Sequence, residues 1–477
     1  MNKSGPDDRT TRERRAVNST LFSSPRPSIE DRMAAGKALR VRRPRGGHAV
    51  YRPSPTRQDP VSTLEEQTKA RLPDLVPIRY ARMLANPFAF LRGAAAVMAA
   101  DLARGPVTGL TVQACGDTHV ANFGVFGSAE RQLIFGMNDF DETMTGPWEW
   151  DLKRLAASAV VCARYLGGDK ALCEAAARAT VRSYRKRMNE YAWMGHVAVW
   201  YSSIGAKDVL RSLPPGMRTA AERIEARARS RGVLQVVEKM AELVDDQVRI
   251  IEHEPLIVRE KRTQDGRPVR EVAGELLAAY VSSLSDERKQ LIARYRVADI
   301  ARKVVGVGSV GTRCWVVLLT GNDLDDPLIL QYKQAVASVL APYVKAPTWD
   351  CEGKRVVVGQ RLIQGAPDIF LGWGTDRIAG DFYMRQLRDM KGGAVFQPGV
   401  TDLRGLPDYC KLCGWALAQA HAKSGDPAGI AGYLGQSDAM DDAIARYALA
   451  YSDQNDRDFD ALGRAAKSKR IPVAKAE

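Results

Sequence analysis

The sequence has no apolar run near the roughly 18 residues that a membrane-spanning helix needs, so no membrane partner is expected. Its opening stretch, MNKSGPDDRTTRERR, mixes acids with bases and lacks an apolar segment, so it does not read as a secretory leader, and a cytoplasmic location is expected. Cysteine is sparse. The seven residues Cys115, Cys162, Cys173, Cys314, Cys351, Cys410 and Cys413 are odd in number, lack the spacing of a disulfide framework and are expected to be reduced. Cys410 and Cys413 form a single CxxC with no second pair nearby to complete a zinc site. His48, His196 and His253 show no ligand spacing and read as structural. A composition of 45% hydrophobic and 26% charged residues, with 40 Gly and 24 Pro, excludes collagen-like, coiled-coil and wholly disordered chains.

What is present begins with length: 477 residues suit about three domains or one large two-lobed enzyme. The formal charge of +14 is mostly a property of the first 60 residues, where Arg, Pro and Gly abound and large apolar residues are few. Residues 1–60 therefore read as a basic, partly mobile arm, which either wraps the body or touches phosphates. Residues 61–112 read as a helical element. Residues 113–296 carry short strand-like runs (LTVQAC, RQLIFGMN) among Gly, Asn and Asp, followed by amphipathic helices such as DLKRLAASAVVCARYL and EVAGELLAAYVSSL. Residues 297–400 turn to β-branched runs (KVVGVGS, RCWVVLL, PLILQYK, RVVVGQRLI, DFYMRQL), and residues 401–477 are helical again, including YCKLCGWALAQAHA.

Two clusters carry chemistry. In the first, Gly116-Asp-Thr-His-Val-Ala-Asn122 is followed by Asn138-Asp-Phe-Asp-Glu142. Magnesium-dependent phosphoryl transfer needs one carboxylate to orient a hydroxyl nucleophile, then an oxygen ligand and a further carboxylate to hold the metal over the phosphates. Asp117, Asn122 and Asp139 can fill those roles, with His119 and Asp141 beside them. Turn formation and helix capping alone would also gather Asp and Asn, but they do not account for a His and four acids around two short strands.

The second cluster is Gly306-Val-Gly308-Ser309-Val-Gly311. A dinucleotide fingerprint runs from strand to helix, whereas here a strand, TRCWVVLLTG, follows. Strand, glycine turn, strand is the form of the loop that covers ATP phosphates in kinases, and it calls for a lysine on a strand soon after, where PLILQYK supplies Lys333. A tight hairpin with an exposed lysine is the alternative.

Asp117-x-His119-x-x-Asn122 resembles the catalytic loop of aminoglycoside and choline phosphotransferases, the small-molecule branch of the protein-kinase-like fold, and Asp139-Phe-Asp stands where that group has its metal-binding aspartate. The resemblance implies Asp117 as catalytic base, Asn122 and Asp139 as magnesium ligands, and Lys333 as the phosphate-binding lysine. Cys115 departs from that pattern, since the group usually has His there. Nearly the whole chain also resembles the bacterial family catalogued as domain of unknown function 2252, through RMLANPFAFLRG, CGDTHVANFG, NDFDET, GPWEWDLKRLAAS, VVGVGSVGTR, YMRQLRDMKG and LAQAHAKSGD.

Kinases place the glycine loop before the catalytic loop, and this chain reverses the order. A circular permutation resolves it: in the phosphotransferases an LAxxHA-like helix precedes the catalytic loop, and here LAQAHA (Leu417 to Ala422) lies near the end. The expected architecture is thus α+β, a two-lobed protein-kinase-like fold, circularly permuted, with residues 297–400 as the nucleotide lobe. The expected activity is ATP- and Mg-dependent transfer to an unidentified small-molecule or protein acceptor. A nucleotide-binding pseudokinase and a nucleic-acid binder acting through the arm are the alternatives. Glu352 is a candidate ion-pair partner for Lys333 although CEGK reads as a turn; His421 and Asp426 either join the site or brace the loop; Arg92, Arg385 and Lys391 either bind a substrate anion or pair with Asp141 or Glu142.

Overall fold

Side chains alternate across a strand, so a run such as PLILQYK buries one set of residues and presents the other. In the computed structural model, which describes residues 25–474 apart from 214, 231–236, 238–239, 245–246, 264–265, 305, 324, 346–347, 377–379 and 388–389, this run is the strand Pro327–Gln334. It lies inside a six-stranded antiparallel sheet, in the order Gly372–Asp376, Gly380–Gln386, Pro327–Gln334, Cys314–Thr320, Arg296–Lys303, Ile257–Val258. Leu328, Leu330 and Tyr332 pack with Val272, Leu276 and Tyr280 of the helix Val269–Ser282. Gln331 and Lys333 therefore face the other way. Their register partners on the neighbouring strand are Arg385 and Tyr383, which puts all four side chains on one face. The helix Val269–Ser282 is read from the sequence as part of the helical lobe within residues 113–296, yet it covers this sheet.

One expected strand is a helix. RVVVGQRLI lies in Glu352–Ile363, where Val356, Gln360 and Ile363 recur at helical spacing and are buried. Three successive valines favour a strand locally, but packing against both the sheet and the helical body overrides that preference. The CEGK turn is correspondingly the start of this helix.

The helical body draws on both sides of the sheet region. Helices Trp148–Tyr165, Lys170–Ala192, Leu406–Ser424, Pro427–Leu434 and Ala439–Lys467 share one core. Its alanines and glycines allow close approach: a Cβ on Gly414 would lie 2.2 Å from the Thr180 carbonyl oxygen.

The arm also differs from its composition. Residues 1–24 lie outside the described residues, but Ile29–Arg42 is a helix, started by a capping box between Ser28 and Asp31. It lies against Pro427–Leu434, where a Cβ on Gly36 would meet the Gly429 carbonyl oxygen at 2.0 Å. Arg40 donates to the Tyr433 carbonyl (2.9 Å), Arg45 to that of Leu434 (2.7 Å), and Arg57 bridges Asp101 and Asp458 (2.8 and 2.6 Å). These arginines hold the arm to the body, which is why an Arg-rich, Pro-rich segment is ordered here. Among the described residues no helix is long and apolar enough to cross a membrane.

Candidate active site

Two short antiparallel pairings set the acidic cluster in place. Thr111–Ala114 pairs with Met144–Pro147, and Phe123–Gly127 pairs with Leu133–Met137. The hairpin puts Phe123 opposite Met137, and the Asn138 amide donates to the Asn122 carbonyl at 3.0 Å. The loop 115–122 and the segment 138–143 are thereby joined at their ends.

Asp151, in the first turn of Trp148–Tyr165, organises the loop from below. It accepts from the Cys115 amide (2.6 Å), the Gly116 amide (3.0 Å) and the Thr118 hydroxyl (2.6 Å), and His421 Nε2 lies 3.2 Å away. Tyr184 completes this chain through His421 Nδ1 at 2.8 Å. Burial raises the Asp151 carboxyl, but the hydrogen bond and charge of His421, with the Thr118 and Cys115 bonds, outweigh burial and hold it below the usual carboxylate range. His421 therefore braces the loop through Asp151 and stays away from the cleft, while Asp426 caps Pro427–Leu434 and pairs with Arg32. One turn further along the same helix, Arg154 donates through Nε to Asp117 Oδ1 at 2.9 Å and through a second nitrogen to the same oxygen. Ser158, one turn beyond, accepts from the Val120 amide at 3.0 Å. Asp151, Arg154 and Ser158 were not singled out from the sequence; their signal is polar residues at i, i+3 and i+7, on one face of the helix.

Asn122 spends its amide nitrogen on the carbonyls of Asp117 (3.3 Å) and Asp139 (3.1 Å), which leaves its Oδ1 as the atom that could serve a metal. The Cys115 thiol, pushed up by burial and so kept protonated, donates to the Asp139 carbonyl at 3.2 Å. It thereby braces the loop against the segment 138–143. His119 Nε2 is 3.9 Å from Asp117 Oδ2, and burial pushes the imidazole down to about 3, so it is neutral.

Lys333 Nζ contacts Asp141 Oδ2 at 2.5 Å and Asp139 Oδ1 at 3.6 Å. Burial disfavours its charge, and the two carboxylates outweigh that, keeping the ammonium charged. Asp141 also accepts from the Tyr383 hydroxyl and, at 3.1 Å, from the Ser309 hydroxyl, so the glycine turn is tied to the acidic segment. Burial raises the Asp139 carboxyl, but the charges of Lys333 and Arg385 prevail and hold it low. Burial pushes Glu142 up to about 7, despite the Val339 amide at 2.7 Å.

Glu352 is not the partner of Lys333: it pairs with Arg355, which also donates to the carbonyls of Asp141 (2.9 Å) and Thr143 (2.5 Å). Neither Arg92 nor Arg385 forms a salt bridge to Asp141 or Glu142; Arg385 donates to Gln331 (3.0 Å) and to the Asn138 carbonyl (3.2 Å).

These pieces line one cleft of about 550 Å³, with Asp117, His119, Asn122, Asp139 and Asp141 on one side and Gly306, Gly308 and Ser309 on the other. Lys333 lines an adjoining cavity of about 480 Å³ that shares Asp139, Ser309, Arg385 and Lys391 with it. Gly311 (φ 90°) closes the turn against Arg71, and Gly306 (φ 65°) has the left-handed backbone that favours glycine. The N-terminal helical element clamps this turn: the Leu72 amide donates to the Gly311 carbonyl (2.7 Å) and Arg82 to that of Gly306 (2.6 Å). Cys410 and Cys413 are buried in the helical core with free thiols, and among the described residues no three His, Cys, Asp or Glu side chains form a metal-holding group.

Residues 71–465 match the family model described as an uncharacterized protein conserved in bacteria, DUF2252, and the chain belongs to that family. No curated protein and no solved structure matches it.

Proposed function

We propose that the chain is an ATP- and magnesium-dependent phosphotransferase with a circularly permuted, protein-kinase-like architecture, acting on a small-molecule acceptor. The observation that carries this reading is that the loop at 117–122, the acids at 139–141 and the turn at 306–311, remote in sequence, line a single cleft with Lys333 bonded to Asp141. A glycine turn between two strands, a lysine on the next and then a helix follow the kinase nucleotide-lobe pattern, although the helix glutamate does not reach the lysine.

The permutation has its own support. The helix bearing LAQAHA ends at Ser424, whose hydroxyl accepts from the Gln113 amide at 3.1 Å, and a Cβ on Gly425 would lie 3.0 Å from the Thr111 carbonyl oxygen. The end of that helix thus abuts the strand that leads into the catalytic loop, which is the junction a permutation would have cut.

The donor set suits magnesium. Asn122 Oδ1 and the carboxylates of Asp139 and Asp141 are hard oxygen donors, and Asp139 Oδ1 is shut from solvent without a hydrogen bond. Magnesium takes one or two carboxylates and fills its remaining positions with water and phosphate oxygens. Held by these residues, it would neutralise charge on the phosphates.

In this reading Arg154 fixes Asp117 through Oδ1 and leaves Oδ2 to accept the proton of the acceptor hydroxyl. The acceptor oxygen bonds to the γ-phosphorus as the bond from that phosphorus to the ADP oxygen breaks. Lys333 and the turn at 306–311 hold the phosphates. The test is magnesium-dependent ADP release: Asp117→Asn and Asp139→Asn should each lower it on the order of a hundredfold or more. Wild-type turnover in Asp139→Asn would refute the metal assignment.

A further inference from the structure

Phosphoryl transfer assigns work to Lys333 and the acids but none to two arginines that line the cleft, Arg92 beside the catalytic loop and Arg71 against the glycine turn. Arg92, in the helix Pro87–Gly93, lines the cleft together with Asp117 and Asp139, whose charges act on it. Its guanidinium sits 5.9 Å from the Phe88 ring centre, its Nε is shut from solvent without a hydrogen-bond partner, and no carboxylate among the described residues lies within 4.0 Å. Arg71 lines the same cleft, donates to the Val310 carbonyl and likewise has no carboxylate within 4.0 Å among the described residues. Asp117, the acid beside Arg92, is already held by Arg154. His119, a buried residue in the same wall, has an Nδ1 with neither solvent nor partner.

A half-buried cation without an ion-pair partner is costly, and two such cations lining one ligand cleft are best accounted for by an anion that arrives with the ligand. Guanidinium is also the group best matched to the planar or forked oxygens of carboxylates and phosphates. We infer that the acceptor is itself anionic: a hydroxylated small molecule carrying a phosphate or carboxylate, which Arg92 and Arg71 bind so that its hydroxyl reaches Asp117. The identity of the reacting hydroxyl rests on the phosphotransferase reading; the anion site does not. The inference also separates this chain from the aminoglycoside branch it resembles, because a polyamine would meet these arginines with charge of the same sign.

The test is titration and thermal unfolding of the full chain with glycerol 3-phosphate and D-glycerate, against choline and glucosamine, each with and without magnesium and a non-hydrolysable ATP analogue. The two anions should bind and raise Tm, Arg92→Gln should weaken their binding at least tenfold, and Arg92→Lys should restore part of it. The ATP-analogue shift should persist in Arg92→Gln. Loss of that shift would assign Arg92 to the nucleotide phosphates and overturn the inference, as would binding of the cations alone or of none of the four. An Arg92-dependent anion shift without any nucleotide shift would keep the anion site and sink the phosphotransferase reading instead.

Discussion

Lys333 Nζ lies 2.5 Å from Asp141 Oδ2, joining a strand of the sheet to the acidic segment 192 positions earlier in the chain. Lys333 is 2% exposed and Asp141 28%, so the pair is only partly screened. Lys333→Met should destabilise the fold by about 2 kcal/mol, less than a fully buried pair would lose. Adding Asp141→Asn should recover part of that loss, because it removes the stranded charge. Urea unfolding of the four proteins gives the coupling, and strict additivity would show that the contact contributes nothing.

Asp151 predicts a pH dependence with a definite sign. Its carboxyl is held below its ordinary value near 3.8, so its contribution to stability is complete above that pH and is lost as the pH falls through the depressed folded value. Asp151→Asn should cost about 3 kcal/mol at pH 7, because several hydrogen bonds to a charged group weaken together. The gap between the two proteins should close on acidification below about pH 4. A gap constant from pH 7 to pH 2, followed by denaturant unfolding, would contradict the role given to the carboxylate.

Gly116 carries φ of 84°, and a Cβ there would lie 2.4 Å from the Glu142 carbonyl oxygen. Gly116→Ala must therefore adopt a disfavoured backbone and push apart the two segments that hold Asp117 and Asp141. A loss of about 2–3 kcal/mol in stability is expected, with ADP release falling further than the unfolded fraction explains. Unchanged stability would mean that the loop relaxes freely.

The acidic loop, the glycine turn and Lys333 were legible because each depends on residue type over a short span: acids between strands, φ-positive glycines, a lysine in an alternating run. The strand Pro327–Gln334 is legible as a short apolar run and the helix bearing LAQAHA as a helical stretch. What escaped depends on partners far away. Arg154 looks like any polar residue of an amphipathic helix until Asp117 is placed against it, and Glu352 is a candidate partner of Lys333 until Arg355 takes it. The helical form of RVVVGQRLI and the order of Ile29–Arg42 come likewise from the surfaces they pack on, which local propensity does not record.

Whether the cleft binds MgATP through Asp139 is decided by thermal unfolding of the wild type and Asp139→Ala, with and without MgATP. Ligand at about 100 times its Kd stabilises a native state by roughly 2.7 kcal/mol, a resolvable rise in Tm for a chain of this size. The rise in Tm should require magnesium and should be abolished in Asp139→Ala. No rise in the wild type, with direct titration finding no nucleotide bound, would contradict the phosphotransferase reading.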